Sequence, residues 1–288
     1  MTWTIGDIRI SPLVDADCFE IALDRIFPGA DTAALAGHGW LDPHHLDLTR
    51  AMVKLGMHGF LIRTPTHNII VDTCIGAHKQ RPAHPVWHQR AAHRFIDDLH
   101  AHGLGVDDVH LVFCTHLHAD HIGWNTRLEN GQWVPTFPKA RYIMSEVELA
   151  FWLDRAVESD GGVNHGSLED SVLPILDRGQ EMLSAAGDTL VQGLTLVALP
   201  GHTVDHLGLA LDLPGGKALF CGDAIHSPAQ LVRPEWASAF CHDAAQAIAT
   251  RRAMLDAAAE ENRLLFPAHF RDGKAMRVRR SGKGFLPA

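Results

Sequence analysis

The sequence predicts an α+β protein, with two sheets face to face and helices on the outside. Two observations lead there. Strand-like runs and helical stretches recur in two similar halves of the chain, as in packed layers of secondary structure. Histidines and aspartates gather just beyond the ends of the predicted strands, in the loops where sites are usually built. The 288 residues are 46% apolar and 20% charged. That is the balance of a globular protein long enough to bury a core without disulfides or a stabilising metal. A single domain over 1–288 is therefore expected.

The elements read in order as follows. A strand-like start, Thr2 to Val14, leads into a turn-rich segment, about 15–50, that includes Phe27-Pro-Gly-Ala and Leu41-Asp-Pro-His-His. The segment is too apolar for a disordered tail and reads as a folded flap or a dimerisation segment. Gly59-Phe-Leu-Ile-Arg and Asn68-Ile-Ile-Val-Asp form a hairpin about the turn Thr64-Pro-Thr-His. Ala91, Phe95 and Leu99 recur every four residues, which predicts a helix from His88 to His102, ended by Gly103. Val109 to Cys114 is a buried strand, and Arg141 to Met144 is another. Ser145 and Glu148 have the spacing of a capping box opening a helix. Further strands are expected at Thr189–Val191, Leu194–Leu199, His206–Leu213 and Ala218–Cys221. A helix from Asp243 to about Glu261 and a last strand at Leu264-Leu-Phe follow.

Composition excludes several classes. Lys+Arg 25 against Asp+Glu 34 gives a net charge of −9, which opposes nucleic-acid binding. No apolar run approaches the ~18 residues of a membrane span. The N-terminus lacks the basic and apolar regions of a signal peptide. Five dispersed cysteines without C-x-x-C spacing suit a reducing cytoplasm rather than a disulfide framework. The outlying number is 21 histidines. Imidazole is the commonest metal ligand among side chains, so composition already points toward a metal site.

The stretch Thr115-His116-Leu117-His118-Ala119-Asp120-His121 places four ligand-type side chains within six residues. In an extended segment His116 and His118 face the same way and can grip one ion. Asp120 and His121 would then swing toward a second. Downstream, His202 follows Leu199-Pro-Gly, Asp223 follows Phe220-Cys-Gly, and His269 follows Phe266-Pro-Ala. Nitrogen and oxygen donors without thiolate suit Zn, Mn, Fe or Co. Histidines outside this order, His84 and His88 among them, read as ordinary polar residues.

In this order and spacing the residues from Gly59 to His269 resemble the metallo-β-lactamase superfamily. The resemblance implies an αββα sandwich of two mixed sheets with two divalent metal ions, zinc foremost. One ion would take His116, His118 and His202. The other would take Asp120, His121 and His269, with Asp223 bridging. Asp72 matches an aspartate that supports the metal loop without being a ligand.

Departures from the family patterns narrow the branch. True β-lactamases of this fold usually keep a cysteine where this chain has Asp223. Glyoxalase II adds a C-terminal helical domain, and only 19 residues follow His269. The superfamily's nucleases carry a large insertion that does not fit here. The chain looks most like the acyl-homoserine-lactone lactonases and methyl parathion hydrolase-like enzymes. Where those lactonases place a tyrosine, three residues after the bridging aspartate, this chain has His226.

That resemblance implies hydrolysis of a small, hydrophobic ester, lactone or phosphotriester by a hydroxide bridging the two metals. Asp120 would pass a proton to the leaving group, and His226 would donate a hydrogen bond to the developing oxyanion. Trp124, three residues beyond His121, is the foremost aromatic candidate for the pocket wall. The alternative is redox chemistry on the same fold, of the di-iron or persulfide dioxygenase type. The expected partner is a small-molecule substrate, without nucleic acid or membrane, and a homodimer is consistent with the resemblance.

Overall fold

The computed structural model describes residues 1–158 and 163–288. They form two compact units, one of Met1–Asp15 and His58–Ala185, the other of Ala16–Met57 and Ala186–Ala288. The boundary falls inside two strands, Ile8–Ala22 and Met52–Arg63.

The first unit is built on a mixed sheet. Its strand order is Trp3–Ile5, Ile8–Ala22, Met52–Arg63, Asn68–Val71, Leu111–Phe113, Arg141–Ser145 and Glu181–Ser184. The predicted hairpin is present, with Phe60 opposite Val71 and Arg63 opposite Asn68. From Asn68–Val71 onward the pairs are parallel. Ile69, Ile70, Val112 and Phe113 are fully buried. Their unbroken apolar runs are what parallel strands covered on both faces require. Helices Arg94–Ala101 and Glu146–Glu158 belong to this unit.

The helix expected from His88 to His102 is shorter, Arg94–Ala101. Backbone pairing holds the earlier residues instead. Gln89 N–H donates to Lys79 O at 2.8 Å, and His78 N–H donates to Arg90 O at 2.7 Å. Gln89 sits at a left-handed φ of 49°, which no helix accommodates. The Arg90 guanidinium is held by buried Asp15, 2.7 Å from Oδ2. The apolar spacing was real, but long-range hydrogen bonds outweighed it.

The sheet of the second unit runs Thr189–Val191, Leu194–Ala198, Leu207–Leu213, Gly216–Gly222 and Leu264–Pro267. Its pairs are antiparallel except the last. Helix Ala244–Glu261 starts where the Asp243 carboxylate accepts from Gln246 N at 2.9 Å, and ends at left-handed Asn262. Leu264 does not open the last strand, because a hairpin follows, Val278–Ser281 with Gly284–Pro287. Its charged first strand, Val-Arg-Arg-Ser, lacks apolar alternation and so left no strand pattern to read. The hairpin of Thr126–Glu129 with Gln132–Pro135 was also missed. Its turn, Asn130-Gly131, has both φ values positive, the known chemistry of a two-residue hairpin turn.

Residues 16–57 fold as part of the second unit. Leu23, Ile26, Phe27, Leu35 and Leu41 are buried in one cluster with Ala229, and Trp236 packs on it. Ile26 O accepts from Ala239 N at 2.8 Å. The amides of Phe27, His45 and Lys54 all donate to backbone carbonyls of the segment. We expect these amides to exchange slowly with solvent deuterium. Exchange as fast as in a free peptide would show that the segment is loose.

Candidate metal centre

The first unit gathers His116, His118, Asp120 and His121 on the loop after Leu111–Phe113. The organiser of this loop is Asp72, directly after Asn68–Val71. Asp72 is buried and takes a left-handed φ of 57°. Such a conformation costs ~1–3 kcal/mol and persists only where surrounding contacts impose it. Its Oδ1 accepts from Thr115 N at 2.8 Å, and its Oδ2 accepts from Thr115 Oγ1 at 2.9 Å. His121 Nδ1–H donates to the same Oδ2 at 2.9 Å. Because the Thr115 hydroxyl proton goes to Asp72, its oxygen is left to accept from His116 Nδ1–H at 3.0 Å. One carboxylate therefore sets the tautomer of two histidines and directs both Nε2 atoms away from it.

His116 Nε2 and His118 Nδ1 lie 3.1 Å apart. Two nitrogens bound to one tetrahedral zinc at ~2.0–2.1 Å are separated by about 3.2–3.4 Å, so this spacing suits a shared ion. The loop is clamped on both sides. Thr73 N–H donates to His121 O at 2.7 Å, and Gly123 N–H donates to Cys74 O at 2.7 Å. A Cβ at Gly123 would lie 1.9 Å from Ile75 O, so only glycine permits that approach.

Two supports of the loop, the Glu148 carboxylate and Asn164, had no signal in the sequence. Glu148, fully buried, accepts from Leu117 N at 3.3 Å and from Trp152 Nε1 at 2.9 Å. Its own backbone N–H donates to Ser145 Oγ at 3.1 Å, as the capping spacing predicted, while its carboxylate reaches the metal loop. Asn164 accepts from Ala119 N at 3.3 Å and donates to Leu117 O. Trp152, 5.8 Å from the His118 ring, is the aromatic beside this loop. Trp124 is instead 4% exposed and stacks on Phe95 at 6.2 Å. Its Nε1 donates to Asp15 at 3.3 Å. It is a core residue rather than a pocket wall.

The second unit gathers His202, Asp223, His226 and His269. His269 Nε2 lies 3.0 Å from Asp223 Oδ1. His202 Nε2 and His226 Nε2 each lie 3.3 Å from Oδ2. His202, Asp223 and His226 offer ligand atoms within 4.8 Å of one another. His226 therefore stands among ligand-type groups, a placement that its single departure from the lactonase pattern did not reveal. Here too the outer nitrogens are engaged. His269 Nδ1–H donates to Gly56 O at 3.0 Å, and His202 Nδ1 is 3.7 Å from Cys241 Sγ. Asp223 N–H donates to His206 Nε2 at 3.0 Å. Gly201, at φ 120°, lets the Pro-Gly-His turn settle on helix Ala244–Glu261, where a Cβ would meet Ala247 N at 2.2 Å.

The loop after Asp223 is held from below by fully buried Arg251. It donates to Ala224 O, Pro234 O and Trp236 O, each at 2.9 Å. Gln230 Oε1 accepts from His226 N at 2.7 Å. The His226 ring nitrogens make no hydrogen bond of good geometry among the described residues. Burial pushes its pKa below the ordinary histidine value, and neighbouring Asp223 opposes this. A buried carboxylate ringed by three imidazole Nε2 atoms at 3.0–3.3 Å fits a divalent cation. The donor set is nitrogen and oxygen, the type that Zn, Mn, Fe and Co accept.

The metallo-beta-lactamase superfamily model matches residues 58–269. The chain belongs to the metallo-beta-lactamase superfamily. Its mixed sheets with helices are those of that fold. A probable metallo-hydrolase of Mycobacterium bovis is 28% identical over 200 residues, covering 64% of this chain. One of Mycobacterium tuberculosis matches to the same extent. The match spans 62% of the length of these curated relatives.

Among solved structures, the hydrolase AbOPH has a TM-score of 0.82 at 22% identity, over 99% of this chain and 95% of that one. AidC, a dizinc quorum-quenching lactonase solved with a product, has a TM-score of 0.80 at 20% identity, over 100% and 96%. At such identities the likeness is one of fold. No helix among the described residues is long and apolar enough to cross a membrane.

Proposed function

We propose that this superfamily member is a metal-dependent hydrolase of a small, hydrophobic ester, lactone or phosphotriester. One observation carries the reading. The seven ligand-type residues stand in superfamily order, and four of their five imidazoles, those of His116, His121, His269 and His202, have their outer nitrogens turned to Thr115, Asp72, Gly56 and Cys241. His116, His118 and His202 would hold one ion. Asp120, His121 and His269 would hold the other, with Asp223 shared. Bound divalent ions would activate water near neutral pH and polarise a carbonyl or phosphoryl oxygen.

The side chains do the rest. Asp120, with its Oδ1 3.9 Å from His121 Nε2 and partly open to solvent, would carry a proton to the leaving group. His226 would donate to the oxygen on which charge develops. Trp152 would offer an apolar surface to the substrate. The substrate is a small molecule rather than a nucleic acid, in keeping with the net charge of −9.

A panel of chromogenic esters, lactones and phosphotriesters, run alongside metal analysis, tests this. Protein purified without chelator should carry close to two ions per chain and lose turnover on chelation. A reproducible content of one ion, with metal supplied, would sink the dinuclear arrangement, and turnover indifferent to chelation would sink the whole reading. Oxygen uptake without hydrolysis would favour the redox alternative.

His226→Ala should lower turnover by ~10²–10³, the effect of losing one oxyanion donor. His226→Tyr restores a donor with longer reach and should raise the ratio of lactone to phosphotriester turnover. An unchanged ratio, with the alanine variant fully active, would place His226 outside the reacting centre.

A further inference from the structure

A second pair of imidazoles converges in the first unit, outside the seven-residue set. His84 Nε2 and His165 Nε2 lie 3.3 Å apart. Their rings meet edge to face, with centroids 4.5 Å apart. The separation is close to the 3.1 Å between His116 Nε2 and His118 Nδ1, and within about 3.2–3.4 Å for two nitrogens on one tetrahedral ion.

Both rings are held in place rather than left to swing. His84 stacks on the buried Trp87 indole at 4.5 Å. Its carbonyl accepts from Trp87 N at 2.8 Å and from His88 N at 3.0 Å. His165 is fixed through its backbone. Asn164 and His165 both adopt left-handed φ values, 51° and 60°. Two such residues in succession are strained and persist only where surrounding contacts impose them. The contacts are visible. The Asn164 side chain bridges Ala119 N and Leu117 O of the metal loop. His165 O accepts from Arg81 Nη1 at 3.1 Å, and the Arg81 guanidinium is fully buried on Asp170.

We propose that His84 and His165 form a separate site for one divalent transition-metal ion, of the zinc, nickel or copper class. Two protein nitrogens would bind it, and solvent or a small anion would complete its coordination. His165 is exposed and His84 is half-buried, which leaves the remaining positions open. Burial, then His84 and Arg81, lower the pKa of His165, with Asp120 opposing. The imidazole is thus the more readily available as a neutral ligand. With only two protein ligands, this site would be weaker than the seven-residue centre.

The test compares the full chain with His84→Gln and His165→Asn at equilibrium with excess zinc. Asparagine tolerates the left-handed backbone, so the second change removes the imidazole with little strain. Each variant should bind one ion fewer per chain than the parent. That difference does not depend on how many ions the other ligands hold, so it stands or falls apart from the dinuclear reading. In the parent, zinc should also slow acylation of His84 and His165 by diethyl pyrocarbonate, read by mass spectrometry. Equal zinc content in parent and variants would overturn the proposal. If the variants do not fold, unchanged acylation of both residues in the parent would do so.

Discussion

Asp223→Ala is expected to release metal and to cut turnover by more than about 10²-fold. Loss of a group that merely orients a ligand already costs ~10–100-fold in affinity or activity, and Asp223 is proposed as a ligand itself. Its carboxylate lies 3.0–3.3 Å from Nε2 of His202, His226 and His269. Without it, three imidazoles face one another with no anion between them. The surrounding backbone should survive, because the Asp223 amide is held by His206 Nε2 at 3.0 Å whatever the side chain. Asp223→Asn separates charge from shape, since the amide can still coordinate through oxygen but brings no charge. Metal content by elemental analysis and turnover on the same sample decide the matter. An alanine variant with the parental metal content and rate would remove Asp223 from the centre.

Asp170→Ala should destabilise the protein by ~3–5 kcal/mol, the usual consequence of stripping the partner from buried charges. Arg81 donates to both Asp170 oxygens, at 2.7 and 2.9 Å. Lys79 Nζ lies 3.4 Å from Oδ1, and both basic side chains are fully buried. Lys79 Nζ also rests 3.7 Å over the Trp133 ring and donates to Thr126 Oγ1. Removing the carboxylate leaves one uncompensated guanidinium and one lysine that can only shed its proton. The urea midpoint should fall at unchanged slope, and an unchanged midpoint would refute the role.

The same cluster gives stability a pH dependence at both ends of the range. Burial works to raise the Asp170 pKa, but hydrogen bonds and charge from Arg81 and Lys79 outweigh it and leave it below the ordinary value. Its contribution is therefore present above the unfolded carboxylate pKa and lost as pH falls through the folded one. Lys79 is pushed down to about 7 by burial, against the pull of Asp170. Between about 7 and the ordinary lysine value of 10.5, the unfolded chain holds a proton that the fold has lost. Stability should rise with pH across that window.

The candidate residues of the centre were legible in the sequence because their spacing is local. His116, His118, Asp120 and His121 lie on one short loop, and the backbone alone brings them together. The isolated candidates His202, Asp223 and His269 stood out because each lies just beyond a recognisable apolar strand, as at Phe220-Cys-Gly-Asp. The buried strands and the helix capped by Asp243 were legible for the same reason. Their signals are apolar runs and capping residues within one window.

Tertiary structure alone decided the positions whose partners are remote in the chain. Residues 88–93 have a helical pattern, yet Asp15 and the strand-like pairing with residues 78–79 claim them. Trp124 sits beside the metal motif, yet its ring belongs to the core with Phe95. Glu148 and Asn164 hold the metal loop from 31 and 45 residues away, and His84 meets His165 across 81. A local window registers propensity and spacing. It carries no record of which distant donor will satisfy a buried carboxylate, and the cost of leaving such groups unsatisfied is what settles these positions.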